Sequence, residues 1–196
     1  MLFRSLMASG APAAVLTTAP PTEALSNFLA SQGFARHPGL PGMAVEIERL
    51  ASTKLPAGYS FSRVVGMDRA NEWGDAFARG YELPLGVGRA FAAAIGDNDS
   101  ADAPIQYFGI LKDGRLVCTS IVHLRDGVAG IYGVATVPEE RKKGLGAHAT
   151  AEPLRLAHRF GYRVGVLQAS EAGHPIYGRL GFVDVSEVFL YVRMPS

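Results

Sequence analysis

Three runs rich in apolar, strand-forming residues predict strands that follow one another closely in the second half of the chain. The three runs are Ile105–Lys112, Arg115–Leu124 and Val128–Val137, and an Asp-Gly pair lies between each run and the next. Asp-Gly between β-rich runs is a strong hairpin signal, because both residues tolerate the positive φ angles of a type I′ turn. The pattern therefore predicts an antiparallel meander.

Apolar residues at spacings of three and four predict helices before and after this meander. Met67–Tyr81 carries such a stripe, with Trp73 and Phe77 on its apolar face, and Gly86–Ile95 carries a shorter one. A third helix is predicted over Leu145–Phe160, directly after the meander. An alternating run upstream of these helices, YSFSRVV, predicts one more strand.

Beyond the third helix, Arg163–Ala169 has the pattern of a buried strand and Ile176–Leu180 that of a short helix. Two further strand runs, FVDVS and VFLYVRM, follow. Counted from residue 57, a helix separates the fourth strand from the fifth, and a crossover of this kind joins parallel strands. The sequence predicts an α/β fold of the α+β type: a mostly antiparallel mixed sheet with a parallel pair at strands 4 and 5, flanked by helices.

A polar, turn-rich stretch near residues 51–58 divides the chain into two patterned parts. We predict a strand–helix–strand extension over 1–55 and a main domain over 56–196. The extension weakly echoes the C-terminal part, since both run strand, helix, Gly-Phe, strand. It is therefore either a degenerate half-copy of the main fold or an ordinary extension that covers a sheet edge, walls the site or makes a subunit contact.

Composition excludes several classes of partner. The net charge of +1 provides no general attraction to nucleic acid or to anionic membranes, so we expect neither. No apolar run reaches the roughly 18 residues that a membrane span needs. Cys118 is the only cysteine, which favours a reducing, cytoplasmic setting. Gly10 and Pro12 interrupt the apolar start, so we expect no signal peptide.

The hexapeptide RKKGLG at 141–146 stands where the third strand of the meander passes into the following helix. The first amides of a helix have no intrahelical partner, and the helix dipole adds positive charge there. Gly144 and Gly146 would let a phosphate approach the backbone closely. On the hexapeptide alone, a phosphate-binding turn and a solvated basic loop are equally good interpretations.

The surroundings of the hexapeptide resemble a known family. Arg141-x-x-Gly144-x-Gly146 matches the R/Q-x-x-G-x-G/A signature of the GNAT superfamily of acyl-CoA-dependent N-acyltransferases. VATVPEERKKGLG is similar to the family's fourth strand and pyrophosphate loop, and IYGRLGF at 176–182 is similar to its later Y-x-x-L-G-F segment. The order of elements from about residue 57 to 194 also matches, which favours the phosphate-turn interpretation.

The resemblance implies a cofactor site for acetyl-CoA, with no metal. The pyrophosphate of CoA would lie on the backbone amides of the turn, and the pantetheine arm would pair with the fourth strand as an added strand. One amide of that strand would also polarise the thioester carbonyl. The implied cofactor-binding residues are Ala135, Thr136, Val137, Arg141, Lys142, Lys143, Gly144, Leu145, Gly146 and Ala147.

The resemblance also implies that Tyr177 is a general acid that protonates the departing thiolate. A carboxylate that serves as base in the histone-acetylating branch of the family would fall at Gly130, where it is missing. His123 and Glu171 are the substitutes we would test, although each has an ordinary surface role as its alternative. His148, within the cofactor helix, is expected to face solvent.

Together these features predict an N-acetyltransferase that moves an acetyl group from acetyl-CoA to a primary amine by direct attack. The acceptor is expected to be a small molecule or a peptide, and the sequence leaves its identity open. The sequence also does not decide the oligomeric state, and a homodimer is possible. The alternative is an acyl-CoA-binding sensor or structural module without catalysis, because of the missing carboxylate. We do not expect nucleic-acid binding through RKK, because the sequence shows no wider basic or aromatic surface around it.

Overall fold

A computed structural model describes residues 13–96, 100 and 102–193 of the chain. These residues fall into two compact units. The first unit contains the residues up to Met43, Gln168–His174 and those from Asp184 onwards. The second unit contains Ala44–Leu167 and Pro175–Val183. Each unit is described by itself, with helices and strands numbered in chain order.

The first unit is built from segments near both ends of the chain. In its sheet β8 lies between β1 and β2. β1 runs antiparallel to β8, from Ala13 opposite Arg193 to Thr17 opposite Phe189. Helix α1 contributes Leu29 to a small core that also contains Tyr191. The elements are β1 (Ala13–Thr17), α1 (Glu23–Ser31), β2 (Ala35–Glu46) and β8 (Val183–Arg193).

The second unit contains the predicted meander. Its strand order is β7-β6-β5-β4-β3. The pairs β3/β4, β4/β5 and β5/β6 are antiparallel, whereas β6/β7 is parallel. Counted from residue 57, β6 and β7 are the predicted strands 4 and 5, so the predicted mixed sheet is confirmed. The strands are β3 (Tyr59–Arg63), β4 (Ile105–Lys112), β5 (Arg115–Arg125), β6 (Val128–Thr136) and β7 (Val164–Gln168).

Both hairpin turns have the geometry that the Asp-Gly pairs predicted. The φ angles are +50° at Asp113 and +78° at Gly114, and +50° at Asp126 and +79° at Gly127. Two successive positive φ angles define a type I′ turn, whose twist matches that of the strands it joins. These two local signals therefore set the pairing next to each turn, and a bulge between Ile110 and Leu111 shifts the rest of the β4/β5 register by one residue.

Four helices have all or most of their residues in the second unit. α2 and α3 cross at two glycines, since a Cβ atom on Gly74 would lie 2.3 Å from the carbonyl oxygen of Gly88. The close crossing brings Trp73 and Phe77 of α2 into an aromatic core with Tyr107. Among the described residues, no helix has the length and apolar character needed to cross a bilayer. The helices are α2 (Met67–Gly80), α3 (Leu85–Gly96), α4 (Leu145–Arg159) and α5 (His174–Leu180).

The structure corrects two expectations. The runs FVDVS and VFLYVRM are not two strands, because Val183–Arg193 is one continuous strand. At Ser186, β8 packs closely against β2: a Cβ atom on Gly42 of β2 would lie 2.2 Å from the hydroxyl oxygen of Ser186. This packing keeps Ser186 within the strand, although serine also favours turns. His148 does not face solvent: it is 8% exposed, and its Nδ1 lies 3.0 Å from the hydroxyl oxygen of Thr53.

The compact units do not coincide with the predicted division at residue 55, because the first unit combines N-terminal and C-terminal segments. Two expectations therefore stay predictions: the division into 1–55 and 56–196, and the origin of the N-terminal part as a half-copy of the main fold. The order strand, helix, Gly-Phe, strand is present in the described N-terminal residues.

Candidate functional site

The parallel pair β6/β7 is joined over only part of its length. Val128 to Ile131 pair with Val164 to Leu167. From Tyr132 onwards the register with β7 has ended, and the rest of β6 continues without that neighbour. The strand edge is therefore open to an extended ligand, except at the carbonyl oxygen of Thr136, which accepts a hydrogen bond from Arg141.

A β-bulge lies where the pairing with β7 ends. Opposite β5, Thr119 pairs with Ala135 but Ile121 pairs with Tyr132, so two residues of β6 face one residue of β5. Gly133 within the bulge has a φ angle of +59°, which glycine adopts at little cost. The hydroxyl group of Thr119 donates to the carbonyl oxygen of Gly133 at 2.8 Å. A bulge bends its strand, and this one bends β6 at the start of its open edge.

The predicted phosphate turn lies between β6 and α4, after a short 3₁₀ turn at Pro138–Glu140. Lys142 has a φ angle of +64°. Gly144 is the N-cap of α4 in the left-handed region, with no side chain capping the helix. The first amides of this 15-residue helix therefore remain open to an anion, and the helix dipole favours negative charge at this end.

The guanidinium group of Arg141 binds protein groups rather than pointing freely out of the turn. It donates to the carbonyl oxygens of Thr136 at 3.2 Å and Gly80 at 2.8 Å, and it forms an ion pair with Glu82 at 3.2 Å. Arg141 thereby ties the turn to the end of β6 and to the last carbonyl groups of α2, which lack helical partners. Its part in binding phosphate stays a prediction.

A buried carboxylate, that of Glu140, lies next to the turn and binds one of its lysines. Glu140 is 6% exposed and accepts hydrogen bonds from Lys112 at 2.8 Å, Lys143 at 2.6 Å and the hydroxyl group of Tyr59. The hydrogen bond from Lys112 is the largest of the interactions that lower the pKa of Glu140 to about 2. Glu140 is therefore ionised at every physiological pH, and Lys143 is held beside the turn.

Tyr177, on α5, is half-buried, and its phenol lies near the side chain of Thr150 of α4, which acts to lower the pKa of Tyr177. Thr150 is fully buried, and its hydroxyl group donates to the carbonyl oxygen of Gly146 at 2.9 Å. Burial is the main cause that raises the pKa of Tyr177 to about 12. Tyr177 is thus a neutral phenol near a threonine that is bonded to the first turn of α4.

Two glycines bring helices close to the open part of β6. A Cβ atom on Gly146 would lie 3.9 Å from the hydroxyl oxygen of Thr136, and a Cβ atom on Gly80 would lie 2.7 Å from the Cβ atom of Ala135. The start of α4 and the end of α2 therefore both lie against residues at the C-terminal end of β6. Thr136 also donates a hydrogen bond to the sulfur of Cys118 at 3.3 Å.

The two candidate bases belong to different units. His123 lies on β5 in the second unit, opposite Gly130, and is half-buried. Glu171 lies in the first unit, exposed at the rim of a cavity of about 660 Å³. The position of the missing carboxylate is covered, because a Cβ atom on Gly130 would lie 2.8 Å from the ring of Tyr132.

Sequence reasoning did not find Thr119, Glu140 or Thr150. Thr150 follows Gly146 by one helical turn, and this spacing was the one sequence signal that could have pointed to it. Thr119 had no comparable signal, since its partner lies on another strand. Glu140 has Lys143 three residues further along the turn, but its partners Lys112 and Tyr59 lie on other strands. The side chain of Tyr81, which follows α2, also contributes to the raised pKa of Tyr177 and was not singled out.

The arrangement suits one class of ligand. An open strand edge would pair with an extended amide-containing arm, and an uncapped helix terminus at the end of that edge would bind a phosphate group. A neutral phenol near the same helix would supply a proton.

Comparisons with known proteins agree with this description. A GCN5-related N-acetyltransferase from Kribbella flavida is 24% identical, with a TM-score of 0.64 over 97% of this chain and 72% of that one. A tandem GNAT protein from the clavulanic acid biosynthesis pathway is 19% identical, with a TM-score of 0.61 over 94% and 64%. A predicted acetyltransferase with acetyl-CoA from Clostridium acetobutylicum is 14% identical, with a TM-score of 0.55 over 65% and 91%.

At these identities the three structures establish the fold alone. No curated protein sequence matches the chain. Residues 64–182 match the family described as the acetyltransferase (GNAT) family, and this range contains the bulge, the open edge of β6, the phosphate turn and Tyr177. The chain therefore belongs to the GNAT family of acetyltransferases, which use acetyl-CoA, and it is an acyltransferase.

Proposed function

We propose that this enzyme transfers the acetyl group of acetyl-CoA to a primary amine, which attacks the thioester directly. The observation that carries the proposal is the meeting of three features within the second unit. The open edge of β6 leads into the uncapped N-terminus of α4, and Tyr177 lies near Thr150 on that same helix. The acceptor is a small molecule or a peptide that presents the amine.

In this proposal the turn holds the pyrophosphate of CoA. The amides from Lys142 to Ala147 point towards the phosphate oxygens, and the dipole of α4 adds to the attraction. The amide of Arg141 already donates to the carbonyl oxygen of Pro138 at 3.3 Å, so it contributes least. The pantetheine arm pairs with the backbone of Ala135, Thr136 and Val137. Two groups there contribute least, because the amide of Val137 already donates to Val117 at 3.0 Å and the carbonyl oxygen of Thr136 accepts from Arg141.

The chemical step forms one bond and breaks one bond. The amine nitrogen attacks the thioester carbon, and a backbone amide of β6 stabilises the oxyanion of the tetrahedral intermediate. The intermediate then collapses with cleavage of the carbon–sulfur bond, and the electron pair leaves on the thiolate. The phenol of Tyr177 gives its proton to that thiolate, while the new amide nitrogen loses a proton to a base.

Three groups are candidates for the base that accepts the proton of the attacking amine. His123 is the candidate in the second unit and Glu171 the candidate in the first, and water is the alternative to both. Substituting each residue by glutamine and measuring turnover separates these possibilities. A base contributes typically a factor of 10² to 10⁴ to the rate, so a change below threefold would remove that residue from the mechanism.

Direct attack is favoured over an acyl-enzyme at Cys118. This thiol is 0% exposed, and burial raises its pKa to about 12. A nucleophilic cysteine needs a thiolate and access to substrate, and Cys118 has neither. Its hydrogen bond from Thr136 instead joins β5 to β6 at the level of the open edge.

The second candidate function is an acyl-CoA-binding module without catalysis. The observation in its favour is that the ring of Tyr132 covers Gly130, where the resemblance places the missing carboxylate. Such a module would keep the phosphate turn and the open edge, and it would bind acetyl-CoA without releasing CoA.

One assay tests the proposal and separates the two functions. The purified protein is incubated with acetyl-CoA and a panel of amino acids, polyamines, aminoglycosides and peptide N-termini, and released thiol is measured. We expect amine-dependent thiol release for at least one class. Tight acetyl-CoA binding by calorimetry without release on any acceptor would favour the binding module. No binding by a folded protein would overturn both functions.

A further inference from the structure

Three side chains from separate parts of the second unit converge on the carboxylate of Glu140, next to the phosphate turn. The ammonium groups of Lys112 and Lys143 donate to its two oxygens at 2.8 and 2.6 Å, and the hydroxyl group of Tyr59 also donates to it. The side chain of Glu140 is 8% exposed, whereas those of Lys112 and Lys143 are 38% and 39% exposed. A buried carboxylate therefore holds two ammonium groups at the surface.

The charges of this group do not cancel. One carboxylate faces two ammonium groups, which leaves an excess of one positive charge. Each ammonium group has three N–H donors. The hydrogen bonds to Glu140 and the 3.4 Å contact from Lys143 to Tyr59 use at most two on either lysine. Donors and charge are therefore left over for an anion at the surface.

The two lysines are also fixed in place before any ligand arrives. Lys112 lies with its ammonium group 5.6 Å from the centre of the Tyr59 ring, which adds a favourable cation–π contact. Free lysines lose considerable side-chain entropy when they bind an anion. The carboxylate of Glu140 and the ring of Tyr59 reduce that loss, since the side chains are already ordered.

We propose that Lys112 and Lys143 form a second anion subsite, which binds the 3′-phosphate of CoA. The inference rests on the proposed binding of CoA at the turn. Lys143 belongs both to the turn and to this cluster, so the second subsite lies directly beside the first. CoA has the matching chemistry, because its ribose carries a 3′-phosphate next to the pyrophosphate. The turn amides bind the pyrophosphate, and the lysines recognise the additional phosphate.

The experiment compares CoA with dephospho-CoA, which lacks only the 3′-phosphate. Isothermal titration gives the dissociation constants of both for the wild type, for Lys112→Met and for Arg115→Met. Arg115 is the matched control, because it is an exposed cation opposite Lys112 in the same hairpin. We expect the wild type to bind CoA roughly tenfold more tightly than dephospho-CoA.

Lys112→Met should remove most of this difference, by weakening CoA and leaving dephospho-CoA nearly unchanged, whereas Arg115→Met should keep it. Equal affinity of the wild type for the two ligands would overturn the subsite and leave the proposed function intact. If Lys112→Met raises the dissociation constants of both ligands equally, Lys112 instead binds the pyrophosphate or stabilises the fold. Failure of the wild type to bind either ligand would overturn the proposed function itself.

Discussion

The hydroxyl group of Thr119 donates to the carbonyl oxygen of Gly133 at 2.8 Å, across the bulge at which β6 loses its pairing with β7. Thr119 is fully buried, so this bond is not exchanged with water. It holds Gly133 in its positive-φ conformation and thereby holds the bend that opens the strand edge.

We expect Thr119→Val, which removes the hydroxyl group and keeps the shape, to raise the Michaelis constant for acetyl-CoA about three- to tenfold. The unpaired Gly133 carbonyl should also lower the free energy of unfolding by about 1–3 kcal/mol. Ser120→Ala is the matched control, because the neighbouring buried hydroxyl of Ser120 makes no hydrogen bond to any residue that the structure describes. Thr119→Ser should restore binding. Equal kinetics of Thr119→Val and Ser120→Ala would contradict this role.

Tyr177→Phe should lower kcat by about 10² or more, since it removes a general acid, while the dissociation constant for CoA changes less than threefold. Steady-state kinetics and calorimetry on the same preparation measure both quantities. Tyr162→Phe, a tyrosine outside the site, serves as control. Wild-type turnover by Tyr177→Phe would remove Tyr177 from the mechanism.

The same residue makes a prediction about alkaline pH. The pKa of Tyr177 in the folded protein is raised from 10.0 to about 12, first by burial, whereas an unfolded chain has the ordinary value. Its contribution to stability is therefore complete below pH 10 and is lost as the pH rises towards 12. Denaturant unfolding between pH 9 and 11.5 should show a steeper loss for the wild type than for Tyr177→Phe. Parallel curves would contradict the raised pKa.

Gly144→Ala should weaken CoA binding about tenfold or more, because the left-handed conformation at the start of α4 is strained for alanine and a methyl group enters the turn. Gly144 and Gly58 have similar φ angles, +79° and +85°, and a Cβ atom at either meets nothing within 4 Å. Gly58→Ala is therefore the matched control, with a similar loss of stability of about 1–2 kcal/mol. Equal CoA affinities of the two variants would show that the turn does not hold the cofactor.

Glu140→Gln should change how the free energy of unfolding depends on pH in the acid range. Hydrogen bonds, first from Lys112, lower the pKa of Glu140 from 4.5 to about 2. Its contribution is therefore present above pH 4.5 and is lost as the pH falls towards 2. Denaturant unfolding at several pH values between 2 and 7 should show a shallower acid limb for Glu140→Gln. Identical slopes for Glu140→Gln and the wild type would refute the prediction.

The parts of the site that were predictable are those encoded within a few neighbouring residues. RKKGLG marked the turn because glycine and an uncapped helix terminus act locally, and both Asp-Gly pairs set their hairpins for the same reason. Tyr177 was predicted from the short segment that contains it, and its role stays a prediction. His148 was misplaced, because its burial depends on Thr53, which lies 95 residues away in the chain.

The sequence by itself determined the helices, most strands, the two hairpin turns and the position of the turn before α4, because periodicity and turn chemistry are short-range properties. Only the tertiary structure decided that Thr119 spans the bulge, that Thr150 lies near Tyr177 and that Lys112 and Tyr59 meet at Glu140. These contacts join different strands and helices, as Tyr59 and Glu140 do across 81 residues. A hydrogen bond depends on the distance and direction between two atoms, which chain packing sets and local pattern does not.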